Sequence, residues 1–229
     1  MNTANAQLET RLGGLALYDD DLDITWLSDA NLIASNSFGL AYDTELGDHP
    51  STTFIETQNT ISSSGRSTWG GAMHWIDAMN MSNGGVGYLG FNNWRLPMTL
   101  IPDSSCDRFG LGCTGSEMGH LYNIELGGRA GLIASGGDGR PFTNLNFTYY
   151  WSGTEYAADP SRVWRVDFGF NAEGVQVALN KNPASFFAFA VRDGDVSSVP
   201  VPEPSLLGLT ALGIVGIAGS RRRRLTAKR

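Results

Sequence analysis

Cysteine and histidine are scarce: the 229 residues include two of the first and three of the second. Two cysteines cannot form a four-thiolate zinc centre, and no further ligands cluster beside Cys106 and Cys113 to complete a mixed one. Their spacing in CDRFGLGC is not the C-x-x-C of a redox dithiol. His49, His74 and His120 fall in no H-E-x-x-H pair, and neither a G-x-S-x-G elbow nor a Walker glycine loop occurs. Basic charge is also short. Residues 1–204 hold ten Lys and Arg against twenty-three Asp and Glu, a net of −13. Such a body disfavours nucleic acid and anionic lipid as partners, and it lacks the basic balance that sulfated polymers require.

The carboxyl-terminal segment has the opposite character. It reads VPVPEPSLLGLTALGIVGIAGSRRRRLTAKR, with no acid after Glu203 and no charge of either sign from Pro204 to Ser220. As a helix, those residues span about 25 Å, just under a hydrocarbon core of about 30 Å. A buried core helix would carry a polar face, and Ser205 and Thr210 supply little of one. Glycines such as Gly213 and Gly216 are tolerated inside a membrane. Arg221, Arg222, Arg223 and Arg224 follow, with Lys228 and Arg229. By the positive-inside rule that block stays cytoplasmic and the body lies outside. The order Pro202-Glu203-Pro204, apolar run, arginine cluster resembles the PEP-CTERM sorting signal of exported bacterial proteins. The resemblance implies recognition and removal by an exosortase. The expected layout is a Pro-rich linker over 197–204, a sorting helix over 205–220 that anchors the chain transiently, and a basic tail over 221–229.

Export has two corollaries. Ala4-Asn5-Ala6 before Gln7 has the small-x-small form of a signal-peptidase site, without the apolar region that normally precedes it. Residues 1–11 therefore read as a residual signal-peptide or linker region, or else as an ordinary polar terminus. Outside the cytoplasm, Cys106 and Cys113 are expected to form a disulfide, which for so short a loop contributes about 2–3 kcal/mol.

The body reads as α+β. Leu15, Leu17, Ile24 and Trp26 alternate on either side of an Asp-rich turn and predict a β-hairpin. Asp19, Asp20, Asp21 and Asp23 do not fit the EF-hand pattern and are expected to be polar turn residues. Residues 35–66 read as loop. Trp69, Met73, Ile76 and Met79 recur at helical spacing. A second helix is signalled by Thr114-Gly115-Ser116-Glu117, a capping box, and stopped by Gly127-Gly128. Four strand-length runs follow, TYYWSGTEY, SRVWRVDFGF, GVQVALNK and FFAFAVRDG, which suit an antiparallel meander with one buried face.

Several of these strings carry a second resemblance. WRLP at 94–97, TGSEMGHLY at 114–122, YYWSGTEY at 149–156, the Trp164–Phe168 strand and AVRDGDV at 190–196 resemble the bacterial Lcl C-terminal domain family over about residues 12–196. That implies a C-type-lectin-like domain, related also to formylglycine-generating enzymes, with two helices, long loops, an antiparallel sheet and neighbouring termini. It further implies an adhesin-like role. The Glu-Pro-Asn and Trp-Asn-Asp strings of lectin calcium sites are absent, as is the copper-binding cysteine motif of the formylglycine enzymes, so neither chemistry carries over.

The functional expectation is an exported, non-enzymatic surface or exopolysaccharide-matrix protein that binds carbohydrate or another surface protein and needs no cofactor or metal. The alternative is a secreted hydrolase or oxidase on the same scaffold, for which Glu117 and His120, three apart on a helix, read either as a ligand or acid–base pair or as a solvated helix face, and paired carboxylates stay open because spatial separation decides them. Tryptophans on predicted strands and helices are expected in the core. Trp94 and Arg95, beside a glycine-rich loop, join Glu117 and His120 as candidate ligand contacts.

Overall fold

A computed structural model describes residues 8–52, 58–107, 110–128, 142–169, 174–181 and 185–197. The chain divides into two units, Met1–Val196 and Ser197–Arg229. Ala4–Ala6, Pro202, Glu203, Pro204, the 205–220 stretch and Arg221, Arg222, Arg223 and Arg224 lie outside the described residues. Among those described, no helix is long and apolar enough to cross a membrane.

The first unit is α+β. Its strands are β1 (Glu9–Arg11), β2 (Ala16–Asp19), β3 (Ile24–Leu27), β4 (Arg66–Ser67), β5 (Tyr149–Glu155), β6 (Arg162–Asp167), β7 (Gln176–Asn180), β8 (Phe186–Phe187) and β9 (Val191–Asp193). Its helices are α1 (Trp69–Met81) and α2 (Glu117–His120), the latter continued by wider turns over Leu121–Glu125. The predicted hairpin is β2–β3, with Ala16 opposite Leu27 and Asp19 opposite Ile24. In α1, the Thr68 hydroxyl accepts from Gly71 N, and Trp69, Ala72, Trp75, Ile76 and Met79 form the buried face.

The terminal runs do not form one meander. Strands β5, β6 and β7 pair antiparallel as expected, but the last run splits between two sheets. Phe187 pairs with Tyr150 in parallel, giving the order β4-β8-β5-β6-β7. After Ala188-Phe189-Ala190, β9 pairs with β3, giving β1-β2-β3-β9. The physical reason is burial on both sides. Phe187, Phe189 and Val191 pack with Trp26, Tyr150 and Phe168, whereas Ala188 and Ala190 pack with Trp69, Trp75 and Trp151. Successive side chains of an extended segment point to opposite faces, so one segment serves both cores. Arg11 donates to Asp195 through Nε and Nη2, which ties the first strand to the end of the unit.

The capping box does not form. Ser116, not Thr114, precedes the first turn of α2, and no side chain caps it. Asp103, thirteen residues upstream, takes the Ser116 amide at 2.9 Å and its hydroxyl at 2.6 Å. Glu117 is drawn away from the helix end by Arg95. A charge-assisted partner from outside the helix wins over the local reciprocal bond.

Candidate functional site

Cys106 and Cys113 are disulfide-bonded, so the proximity of both sulfurs to an Asp103 oxygen offers no free thiolate to a metal. The bridge closes a loop that rests on α2. An alanine Cβ at Gly119 would lie 2.6 Å from the Cys113 carbonyl oxygen, so only glycine admits this approach. The same loop reaches β7, where Gln176 N donates to Gly110 O at 2.8 Å.

Between this loop and the β5–β7 sheet lies a cleft of about 410 Å³. One wall is Thr99–Asp103, Cys106 and Gly110, and the other includes Tyr156, Arg162, Trp164 and Gln176. The strand period places Arg162 and Trp164 on one face of β6. The Tyr156 and Trp164 rings meet edge to face at 5.8 Å, and the Arg162 guanidinium lies 5.2 Å over the Tyr156 ring. Arg162 also donates to the Ala178 carbonyl, which fixes its reach. Leu100 and Ile101 on the opposite wall are half exposed.

Polar satisfaction in the cleft is uneven. Asp103 is saturated: Oδ1 accepts from the Ser105 amide and hydroxyl, and Oδ2 from Ser116 and from Gln176 Nε2 at 3.3 Å. In contrast, Trp164 Nε1 and Gln176 Oε1 are buried and have no hydrogen-bond partner among the described residues. Trp26 Nε1, in the core, is also without a partner among the described residues, but the other four tryptophans show what a satisfied indole looks like here. Trp69, Trp75, Trp94 and Trp151 each donate to a backbone carbonyl at 2.8–3.0 Å. A buried donor and a buried acceptor left over at one cleft are costly unless water or a ligand uses them, and a ligand that offers both roles can displace the water.

Burial raises the Asp103 pKa, but hydrogen bonds from Ser105, Ser116 and Gln176 together outweigh it and hold the carboxyl below its ordinary value. The ionised form is thus the one the fold favours. Its stabilising effect is present above the unfolded carboxyl pKa and fades as pH falls through the lower native one. Asp103→Asn is expected to lower the melting temperature at pH 7, with the gap to wild type closing below about pH 4. Thermal scans of both proteins from pH 7 to pH 3 check this; a gap that widens on acidification contradicts it.

The sequence-predicted contact residues lie elsewhere. Trp94 is 2% exposed, with its indole N–H on the Tyr88 carbonyl. Arg95 grips Glu117 with two parallel bonds of 2.6 and 2.8 Å and also binds Asp193. Glu117 additionally accepts from Met98 N, so both of its oxygens are engaged. His120 is buried in an acidic cluster with Asp19 and Glu125. None of the four lines the cleft. No family model, curated protein or solved structure matches this chain.

Trp164 is the residue that sequence reasoning placed in the core and the structure places at a cleft. Its partial burial follows from its place along β6. Val163 packs into one core on the opposite face, while Trp164 shares a face with Val166, which is covered by the other core, and with Arg162, which lies at the cleft.

Proposed function

We propose that the chain is an exported, non-enzymatic, adhesin-like protein whose cleft binds a neutral sugar segment of an extracellular polysaccharide. The observation that carries this reading is the unpartnered Trp164 N–H and Gln176 carbonyl oxygen at a cleft framed by Tyr156 and Arg162. A pyranose offers an apolar ring face for an aromatic side chain and vicinal hydroxyls that both donate and accept. Those are the complements of what the cleft leaves unsatisfied. The acidic body repels polyanions, which favours a neutral polymer.

The carboxyl-terminal signal supports the location. Its likeness to PEP-CTERM segments makes an exosortase the processing partner and the inner membrane a transient anchor, with the processed body at the cell surface or in the matrix. The likeness of residues 12–196 to the Lcl C-terminal domain supports a lectin-like fold for the body and the adhesin-like role.

The test is retention of the full-length chain, purified in detergent, on the producing cell's own exopolysaccharide and on a neutral glycan array. Saturable retention without release of sugar products is the expected result. Product release that Glu117→Ala or His120→Ala abolishes would make the chain a hydrolase. Retention by protein targets alone would remove the sugar from the proposal.

A further inference from the structure

The turn of the β2–β3 hairpin meets the far end of α2, more than a hundred residues away in sequence. Asp19, expected to be a solvated turn residue, has a fully buried side chain, and Glu125 is 2% exposed at its side chain. Between them stands His120, 7% exposed, whose Nε2 has no hydrogen-bond partner among the described residues. It lies 3.5 Å from Glu125 Oε1, 3.7 Å from Asp21 Oδ2 and 3.8 Å from Asp19 Oδ1. Asp19 Oδ2 is likewise buried without a partner.

The wider helical turn helps to assemble this group. Residues five apart on a regular helix sit about 140° apart around its axis. Here Leu126 N bonds to Leu121 O, five residues back, at 2.9 Å. That expansion turns Glu125 toward the His120 face. Such widened turns cost stability and occur often at functional sites.

An imidazolium acting as counter-ion would close on a carboxylate to about 2.7–2.9 Å. No contact that short exists: the three carboxylate oxygens stand 3.5–3.8 Å from Nε2. Donors held about 2.0–2.2 Å from one tetrahedral ion stand about 3.4 Å apart, and the ligand atoms of Asp19, His120 and Glu125 lie within 4.8 Å of one another, with the half-exposed Asp21 3.7 Å from His120. Three carboxylates around a single imidazole, two of them buried, also leave negative charge that one imidazole cannot balance. A dication removes that imbalance. One nitrogen among oxygens selects against calcium, which takes oxygen ligands, and for a first-row transition metal.

The geometry points to a binding site for a divalent transition-metal ion, of the Zn²⁺ class, formed by Asp19, His120 and Glu125, with the exposed Asp21 carboxylate swinging in as the fourth ligand. The ion pins the hairpin to α2. Ser116, before the same helix, anchors Asp103 at the cleft.

The full-length chain, stripped with EDTA and dialysed, is titrated calorimetrically with Zn²⁺, Mn²⁺, Ca²⁺ and Mg²⁺ in turn, and its melting temperature is read with each. The expected result is one Zn²⁺ per chain and a rise of about 5–10 °C at a hundredfold excess over Kd. His120→Asn lowers Zn²⁺ affinity about 100-fold and Asp21→Asn about tenfold, while His74→Asn leaves it unchanged. Asp21 is half exposed, so its variant keeps the test decisive even if the buried His120 cannot be replaced. Absence of stoichiometric Zn²⁺ binding, a response to Ca²⁺ alone, or binding indifferent to Asp21→Asn overturns the site.

Discussion

Trp164→Ala lowers affinity for the exopolysaccharide about 30-fold or more, the loss of about 2 kcal/mol typical of a central aromatic anchor. Tyr156→Ala weakens it by a smaller factor, because Tyr156 steers the Trp164 ring edge to face instead of offering the unpartnered N–H. Trp164→Phe separates two contributions. It keeps a stacking face and loses the donor, and it is expected to retain part of the binding. Because Trp164 is only partly buried, these changes cost the fold less than truncation of a fully buried indole, which costs about 3–5 kcal/mol. Equilibrium binding to immobilised polysaccharide, paired with melting curves, measures both effects. Unchanged affinity in Trp164→Ala with an intact fold removes the cleft from the binding reaction.

Arg95→Ala destabilises the unit by about 3 kcal/mol, a fall of about 6–12 °C in melting temperature. Arg95 is a joint between elements that are distant in sequence. Its backbone exchanges bonds of 2.8 and 2.9 Å with Val191, and its guanidinium holds Glu117 on α2 and Asp193 on β9. Burial works against the guanidinium's charge, yet the bonds to Glu117 and Asp193 raise its pKa above the ordinary value. Removing it leaves the Glu117 carboxylate, 16% exposed, without its main counter-charge. Asp193 is well exposed and suffers little. Arg95→Lys recovers only part of the loss, because an ammonium cannot reproduce two parallel bonds. A variant as stable as wild type would show that the network is neutral, and that Arg95 is available to a ligand.

The elements built from local pattern were legible. The hairpin followed from alternation about the Asp-rich turn, and α1 from three- and four-residue apolar spacing behind Thr68. The split of the last run between two sheets was not legible, because Phe187 to Val191 is apolar at every position and alternation is invisible when both faces are buried. The capping box misled because its competitor, Asp103, lies beyond any local window. Trp164 looked like a core residue on a strand, since sequence does not show how far along β6 the core that buries Val166 extends. Asp19, His120 and Glu125 come together through a long-range contact and a widened turn, neither of which leaves a spacing signature. Cys106 and Cys113 were the exception: a short glycine-containing loop and the expectation of export sufficed to pair them.

The six tryptophan indole N–H resonances offer the most direct view of the cleft, with the Trp164 signal assigned by its loss in Trp164→Phe. Addition of matrix oligosaccharide is predicted to move that resonance saturably while those of the buried Trp69, Trp75, Trp94 and Trp151 stay in place. Binding of the oligosaccharide with the Trp164 signal unmoved would contradict the account.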